Sequence, residues 1–191
     1  MASRGAIVHL IGPAGVGKLT VARALAPMLD AIVVDNHWIN NPVLGLLRHD
    51  RVTPYPAQVW TEIEKVREAV LATIAVICPP EQSYILTNEL YDGEDDRALG
   101  QQVARAAEMR GSPYLPVRLH CAPEALASRV VSPDRAPRLK SMDADTARRN
   151  ASRGALMTGS ASELTLDTTD LEPHATALRI AAHVQRVRQA C

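Results

Sequence analysis

One stretch of the chain has residue types and spacing suited to phosphate binding, Gly12-Pro13-Ala14-Gly15-Val16-Gly17-Lys18-Leu19-Thr20. Its glycines let backbone N–H groups turn inward and approach an anion closely. Lys18 brings a positive charge to the outer phosphates, and the helix that follows adds unpaired N–H groups and the positive end of its dipole. We therefore predict a nucleotide phosphate site here rather than a glycine turn without a ligand.

The residue after the lysine departs from the common pattern of such loops. Ser or Thr usually stands there, and its hydroxyl contacts magnesium, whereas this chain has Leu19. We therefore expect magnesium to be coordinated without a side-chain hydroxyl from this position.

A second candidate group of residues follows the apolar run 31–34. Asp35 can accept a proton from a hydroxyl or hold a metal-bound water, although an Asp here can also cap a turn together with Asn36. Asn36 and His37 are candidate substrate contacts, and His37 can equally serve as a structural hydrogen-bond donor.

A third candidate group closes the apolar run 84–87. Asn88 and Glu89 stand where many nucleotide hydrolases and kinases keep a metal-coordinating carboxylate. We predict substrate contact for both residues and metal contact for Asp35 and Glu89, directly or through water.

A basic cluster lies in a proline-rich part of the chain, with members Arg129, Arg135, Arg138 and Lys140. Guanidinium groups can stabilise a transferring phosphoryl group and stack on adenine. A mobile segment that carries them can close over a nucleotide and exclude water. The alternatives are a solvated basic loop and a grip on RNA, and the neutral overall charge argues against RNA.

Short apolar runs alternate with helical periodicity, which is typical of an α/β protein with a parallel sheet. Strands are predicted at 6–11, 31–34, 84–87, 115–121 and 163–166. Helices are predicted at 17–29, 57–77, 95–109, 123–130, 144–153 and from 173 onward, with a short one near 43–47. Because ligands bind at the carboxyl ends of such strands, the candidate residues should meet in one site.

Length, charge and cysteine content narrow the class of protein. The 191 residues suit one domain, and 21 basic residues balance 21 acidic ones, so a dedicated nucleic-acid binder is not indicated. Three scattered cysteines form neither a disulfide framework nor a metal spacing. With no signal-peptide pattern and no apolar run long enough for a membrane span, we expect a cytoplasmic protein.

These features resemble the small-molecule branch of the P-loop kinases, the group of shikimate kinase, gluconate kinase, chloramphenicol phosphotransferase and the adenylate kinases. The resemblance rests on 12–20, Asp35, the run 119–129 and Leu166-Asp167-Thr168-Thr169 followed by Pro173. It implies a P-loop NTPase three-layer α/β sandwich with a five-stranded parallel sheet of order 2-3-1-4-5. A single domain over 1–191 would carry a small lid at about 129–153.

The resemblance also implies an activity, the transfer of the γ-phosphate of ATP to a small-molecule hydroxyl with magnesium. The implied catalytic residues are Lys18, Asp35, Arg129, Arg135 and Arg138. The implied nucleotide-binding residues are Gly12, Ala14, Gly15, Val16, Gly17, Lys18, Leu19, Thr20, Arg129 and Thr168.

Two departures qualify the resemblance. Adenylate kinases have Gly then Thr after the lysine, so Thr20 matches although Leu19 does not. The segment 35–42 lacks a second acidic residue two places after Asp35, which argues against shikimate as the acceptor. A nucleotide-dependent regulatory module without an acceptor stays open, as does end-phosphorylation of RNA or DNA, and either a monomer or a homodimer fits.

Overall fold

Five parallel strands form one sheet in the structure, a computed structural model that describes residues 4–48, 53–131 and 143–190. The strands are β1 (Ile7–Ile11), β2 (Ala31–Asp35), β3 (Ser83–Asn88), β4 (Tyr114–His120) and β5 (Leu164–Asp167). Their order across the sheet is β2-β3-β1-β4-β5, and all neighbouring pairs are parallel. The predicted fold class and strand order are confirmed.

The described helices connect the strands and cover both faces of the sheet. They are α1 (Lys18–Leu29), α2 (Asn36–Leu44), α3 (Ala57–Ala72), α4 (Glu94–Arg110), α5 (Pro123–Val130), α6 (Ala144–Arg153) and α7 (Pro173–Ala190). Apolar side chains of α1 and α7 form one buried cluster with Val8 and Leu10. Those of α3 and α4 form another with Ile7. Because neighbouring strand residues point to opposite faces, the sheet is the middle of three layers.

The segment after β2 differs from the prediction. A short helix was expected near 43–47 within a loop, but α2 begins directly at Asn36. The backbone N–H of Asn36 donates to the Thr87 hydroxyl at 3.2 Å, which ties the start of the helix to β3. Ile39 and Leu44 are buried in the cluster of α3 and α4, and this burial outweighs the backbone bond lost at Pro42.

The end of α3 also differs from the prediction. The α-helical part stops at Ala72, and the rest of the expected helix, Thr73–Ile77, forms a π-helical turn. No helix among the described residues is long and apolar enough to cross a membrane. Of the expected lid, α6 and the end of α5 are described and pack against each other, whereas Arg135, Arg138 and Lys140 lie outside the described residues.

Gly12 marks a close approach between the loop after β1 and the end of β4. A Cβ atom there would stand 2.4 Å from the Leu119 carbonyl oxygen. Gly12→Ala should therefore lower the free energy of unfolding by about 1–3 kcal/mol, the usual cost of overpacking, as urea denaturation can measure. Gly93→Ala is the matched control, since its Cβ would meet nothing within 4 Å. Equal stability of the two variants would contradict the packing argument.

Candidate nucleotide-binding site

The loop of residues 12–17 between β1 and α1, called the phosphate loop below, has the backbone geometry that a phosphate cradle requires. Gly15 has φ of 88° and Gly17 has φ of 97°, backbone conformations that residues other than glycine rarely adopt. The Lys18 ammonium donates to the carbonyl oxygens of Gly12 at 2.7 Å and Pro13 at 2.9 Å. A phosphate at the loop would offer this ammonium anionic oxygens in place of neutral carbonyls.

A cavity of about 2030 Å³ extends from this loop across the carboxyl ends of the strands. Because β1 is the central strand, the cavity has one half over β2 and β3 and another over β4 and β5. The β2–β3 half is lined from the ends of β2 and β3, from α2 and α3, and from the start of α4. The β4–β5 half is lined by Arg129 and by residues between 168 and 176. Ordinary small-molecule pockets span roughly 300–1,000 Å³, so this cavity has room for a nucleotide and a second ligand.

Two predicted nucleotide-binding residues meet in the β4–β5 half. The Thr168 hydroxyl lies 3.2 Å from the Val16 carbonyl oxygen and 3.1 Å from that of His120, and thus joins the phosphate loop to β4. Arg129 donates to the carbonyl oxygens of Thr168 at 3.0 Å and Thr169 at 2.8 Å. Both residues line the cavity, and their contact with a nucleotide stays a prediction.

The remaining loop residues differ in what they present to the cavity. Its lining includes Ala14, Gly15, Val16, Gly17, Lys18, Leu19 and Thr20. Gly12 is buried beneath them against the Leu119 backbone. The structure therefore gives Gly12 a packing role, and its predicted contact with phosphate stays untested.

Asp35 lies at the end of β2 and lines the same cavity as Lys18. The Thr87 hydroxyl donates to Asp35 Oδ1 at 2.7 Å, and His37 Nδ1 lies 3.9 Å from the same oxygen. Thr87 is itself buried and accepts from the Asn36 backbone N–H. The carboxylate is thus oriented by the neighbouring strand β3, and its predicted role as a base is compatible with this position.

A chain of hydrogen bonds crosses the sheet and ends at Asn36. Asn88 donates from Nδ2 to Asn36 Oδ1 at 3.0 Å, so its own Oδ1 accepts from His9 Nε2, also at 3.0 Å. His9 Nδ1 then accepts from the Tyr114 hydroxyl at 3.0 Å. Burial lowers the pKa of His9 to about 4, although its hydrogen bond to Asn88 acts to raise the pKa. Burial and the nearby Glu163 carboxylate raise the pKa of Tyr114, which therefore keeps its proton.

Glu89 is held by two donors in the structure. The Tyr91 hydroxyl donates to Glu89 Oε1 at 2.6 Å and Asn150 Nδ2 donates to it at 3.2 Å, which connects β3 to α6. Burial and the charge of Glu89 raise the pKa of Tyr91, so the hydroxyl stays a donor. Within the described ranges, no group of three His, Cys, Asp or Glu side chains could hold a metal ion. Metal contact by Asp35 and Glu89 stays a prediction.

Several residues of the site were not singled out by the sequence. His9 sits in an otherwise apolar strand, and that isolation was the available signal. Arg67 lies on the buried side of α3 and pairs with Glu64, to which Gln102 Nε2 also donates at 2.5 Å. The bond from Gln102 to Glu64 joins α4 to α3 across 38 positions of the sequence, so no local pattern reveals it.

The two tryptophans lie in different surroundings. Trp60 lines the cavity and is 49% exposed, whereas Trp38 is 65% exposed and is not part of the lining. Of the two, Trp60 is therefore the one placed to contact a ligand in the cavity.

No protein-family model matches the sequence, and no curated protein matches it. Solved structures of kinases are similar to it in fold. A gluconokinase from Sinorhizobium meliloti 1021 has a TM-score of 0.63 and 17% identity, covering 100% of this chain and 97% of that one. The Mycobacterium tuberculosis APS kinase in complex with AMPPNP and APS has a TM-score of 0.61 and 16% identity, covering 95% and 98%.

A further similar structure is the shikimate kinase from Acinetobacter baumannii in complex with shikimate, with a TM-score of 0.56 and 17% identity over 97% of this chain and 96% of that one. At this level of identity the likeness concerns the fold. It confirms that the chain has the P-loop α/β fold found in kinases of small molecules.

Because His9 is buried and neutral, acid should destabilise the fold through this residue. The unfolded state takes up a proton below the ordinary pKa of 6.5, while the folded state resists until about pH 4. His9 therefore costs the fold no stability above pH 6.5. Between pH 6.5 and about pH 4, the free energy of unfolding falls as the pH is lowered, by about 1.4 kcal/mol per pH unit. Urea unfolding between pH 4 and 7 should show this slope, and His9→Gln should remove that part of it.

His174→Gln serves as the matched control, because His174 is exposed at the start of α7. It should keep the slope of the unmodified protein. If His9→Gln kept that slope as well, the neutral state assigned to His9 would be wrong.

Proposed function

We propose that the protein is an ATP-dependent phosphotransferase that moves the γ-phosphate of ATP to a hydroxyl of a small molecule. The observation that carries the proposal is a single cavity lined both by the phosphate loop with Lys18 and by Asp35 at the end of β2. The cavity also has space on both sides of β1, which suits one donor and one acceptor.

In this proposal the nucleotide occupies the β4–β5 half. The backbone N–H groups of the loop and the Lys18 ammonium bind the β- and γ-phosphates, helped by the positive end of the α1 dipole. Arg129 and Thr168 also bind the nucleotide. Asp35 and Glu89, directly or through water, would hold Mg²⁺, which supplies charge neutralisation of the phosphates when bound.

The acceptor occupies the β2–β3 half, with its hydroxyl at Asp35. A bond forms between the hydroxyl oxygen and the γ-phosphorus, the bond to the β–γ bridging oxygen breaks, and ADP leaves with that electron pair. Asp35 takes the hydroxyl proton, and the Thr87 hydroxyl keeps the carboxylate in orientation. Arg129, and from the lid Arg135 and Arg138, stabilise the charge on the moving phosphoryl group.

Leu19 favours a second candidate function, a module that binds or hydrolyses ATP and regulates a partner. This residue lines the cavity where a hydroxyl usually meets magnesium. The two candidates differ in product, because only a kinase yields a phosphorylated small molecule. For the kinase we propose a cytoplasmic location and either a monomer or a homodimer, which size-exclusion chromatography distinguishes.

Removal of the loop ammonium should abolish most turnover. For Lys18→Ala we expect a loss of about 10²–10³-fold in ATP turnover, the usual effect of deleting one charged phosphate contact. Isothermal titration with ATP and a coupled ADP assay measure it. Lys65→Ala removes an exposed lysine that pairs with Glu62 on α3, and it should behave as the unmodified protein. Unchanged turnover in Lys18→Ala would refute the phosphate site.

Asp35→Asn separates nucleotide binding from transfer. Asn keeps an oxygen for the Thr87 hydroxyl but cannot take the proton, so ATP affinity should stay within about threefold while transfer falls about 10²–10⁴-fold. Asp30→Asn, at the opposite end of β2, is the control, since an Asn suits its φ of 47°. A similar loss of binding and transfer in Asp35→Asn would contradict the role as a base.

A further inference from the structure

Among the described residues, carboxylates outnumber cations around the β2–β3 half of the cavity. The acids that line it are Asp35, Glu64, Glu89, Asp95 and Asp96, and the cations other than Lys18 are Arg67 and, from α6, Arg153. These acids do not gather into a metal site among the described residues. The excess negative charge therefore faces whatever ligand enters this half.

Both cations of this half already have partners. Arg67 is 8% exposed, and its guanidinium pairs with the Glu64 carboxylate. The Arg153 guanidinium lies over the Tyr91 ring, 4.2 Å from its centre. A ligand carboxylate would therefore have to displace one of these contacts while facing the remaining acids, which Coulomb repulsion disfavours.

Two buried oxygens in this half have no hydrogen-bond partner among the described residues. They are Oδ1 of Asn40, whose residue is 7% exposed, and Oε1 of Gln102. Both side chains line the cavity. An unpaired buried acceptor destabilises the fold, and only an O–H or N–H donor can relieve it. Arg67 Nε is also unpartnered, but Glu64 neutralises its charge.

Aromatic rings are concentrated at this half although the chain has few of them. The whole sequence contains two Trp, four Tyr and no Phe, and Tyr55, Trp60 and Tyr91 line the cavity here. Tyr55 meets Trp60 edge-on with ring centres 5.9 Å apart. A ring that stays half-exposed beside carboxylates provides a face for a cationic group or for the C–H face of a saturated ring.

From these observations we infer that the acceptor is an uncharged or cationic polyhydroxyl compound, rich in hydrogen-bond donors, and that this half of the cavity rejects carboxylate-bearing acceptors. The inference rests on the proposed function and specifies its acceptor. Asn40, Gln102 and the carboxylates accept from the hydroxyl and amino groups, while Tyr55 and Trp60 cover one face of the ligand.

Binding can be measured separately from transfer because the sequence has only two tryptophans. In Trp38→Phe, Trp60 is the single tryptophan and its fluorescence reports on ligands in the β2–β3 half. The probes are D-glucosamine and kanamycin as cations, D-glucose and myo-inositol as neutral compounds, and D-gluconate and shikimate as anions. Radiolabelled ATP then reports phosphoryl transfer to each probe.

We expect at least one cationic or neutral probe to change Trp60 fluorescence and to be phosphorylated with kcat/KM at least tenfold above either anionic probe. Asp95→Asn should reduce the preference for cationic over neutral probes three- to tenfold. Glu108→Gln, at the exposed far end of α4, should leave that preference unchanged.

The outcomes distinguish this inference from the proposed function. Anionic probes that bind and react as well as the others would overturn the acceptor class and leave the kinase intact. Cationic or neutral probes that bind without any transfer would overturn the kinase and support the class of ligand. No response from any cationic or neutral probe would overturn the inference.

Discussion

The phosphate loop keeps its shape because the backbone on both sides of β1 lies in contact with it. Gly12 packs against the Leu119 carbonyl of β4, and its N–H donates to the Asn88 carbonyl of β3 at 3.3 Å. The Thr168 hydroxyl reaches the loop from the end of β5. Three strands thus hold one loop at the centre of the sheet, and any side chain at Gly12 would occupy the space that this contact needs.

The same constraint explains the polar residues buried beneath the site. The end of β3 supports the loop through its backbone, so its side chains are available to position the end of β2. Thr87 orients Asp35, and Asn88 orients Asn36. His9 completes the hydrogen bonds of Asn88 as a neutral ring, because a charged imidazolium would be desolvated at the centre of the sheet. A buried network of this kind is stabilising only when its members are satisfied.

The two halves of the cavity are built for different chemistry. In the β4–β5 half, Arg129 and Thr168 hydrogen-bond to backbone carbonyl oxygens and shape the wall. In the β2–β3 half, helices α2, α3 and α4 and the segments just before α3 and α4 leave acceptor oxygens and aromatic rings at the surface of the cavity. Contacts within the chain thus set the wall of the β4–β5 half, whereas the β2–β3 half presents the more varied side chains.

The sequence by itself determined the class of fold, the phosphate loop and the candidates at the strand ends, because each depends on local order: glycine spacing, apolar periodicity and the residue that follows a strand. It missed the start of α2 at Asn36, where a hydrogen bond to Thr87 of another strand decides the conformation. The tertiary structure alone decided the partners of His9, the contact between Gln102 and Glu64, and the charge balance of the β2–β3 half. Those contacts join residues from separate elements, and local sequence patterns do not record distances between elements.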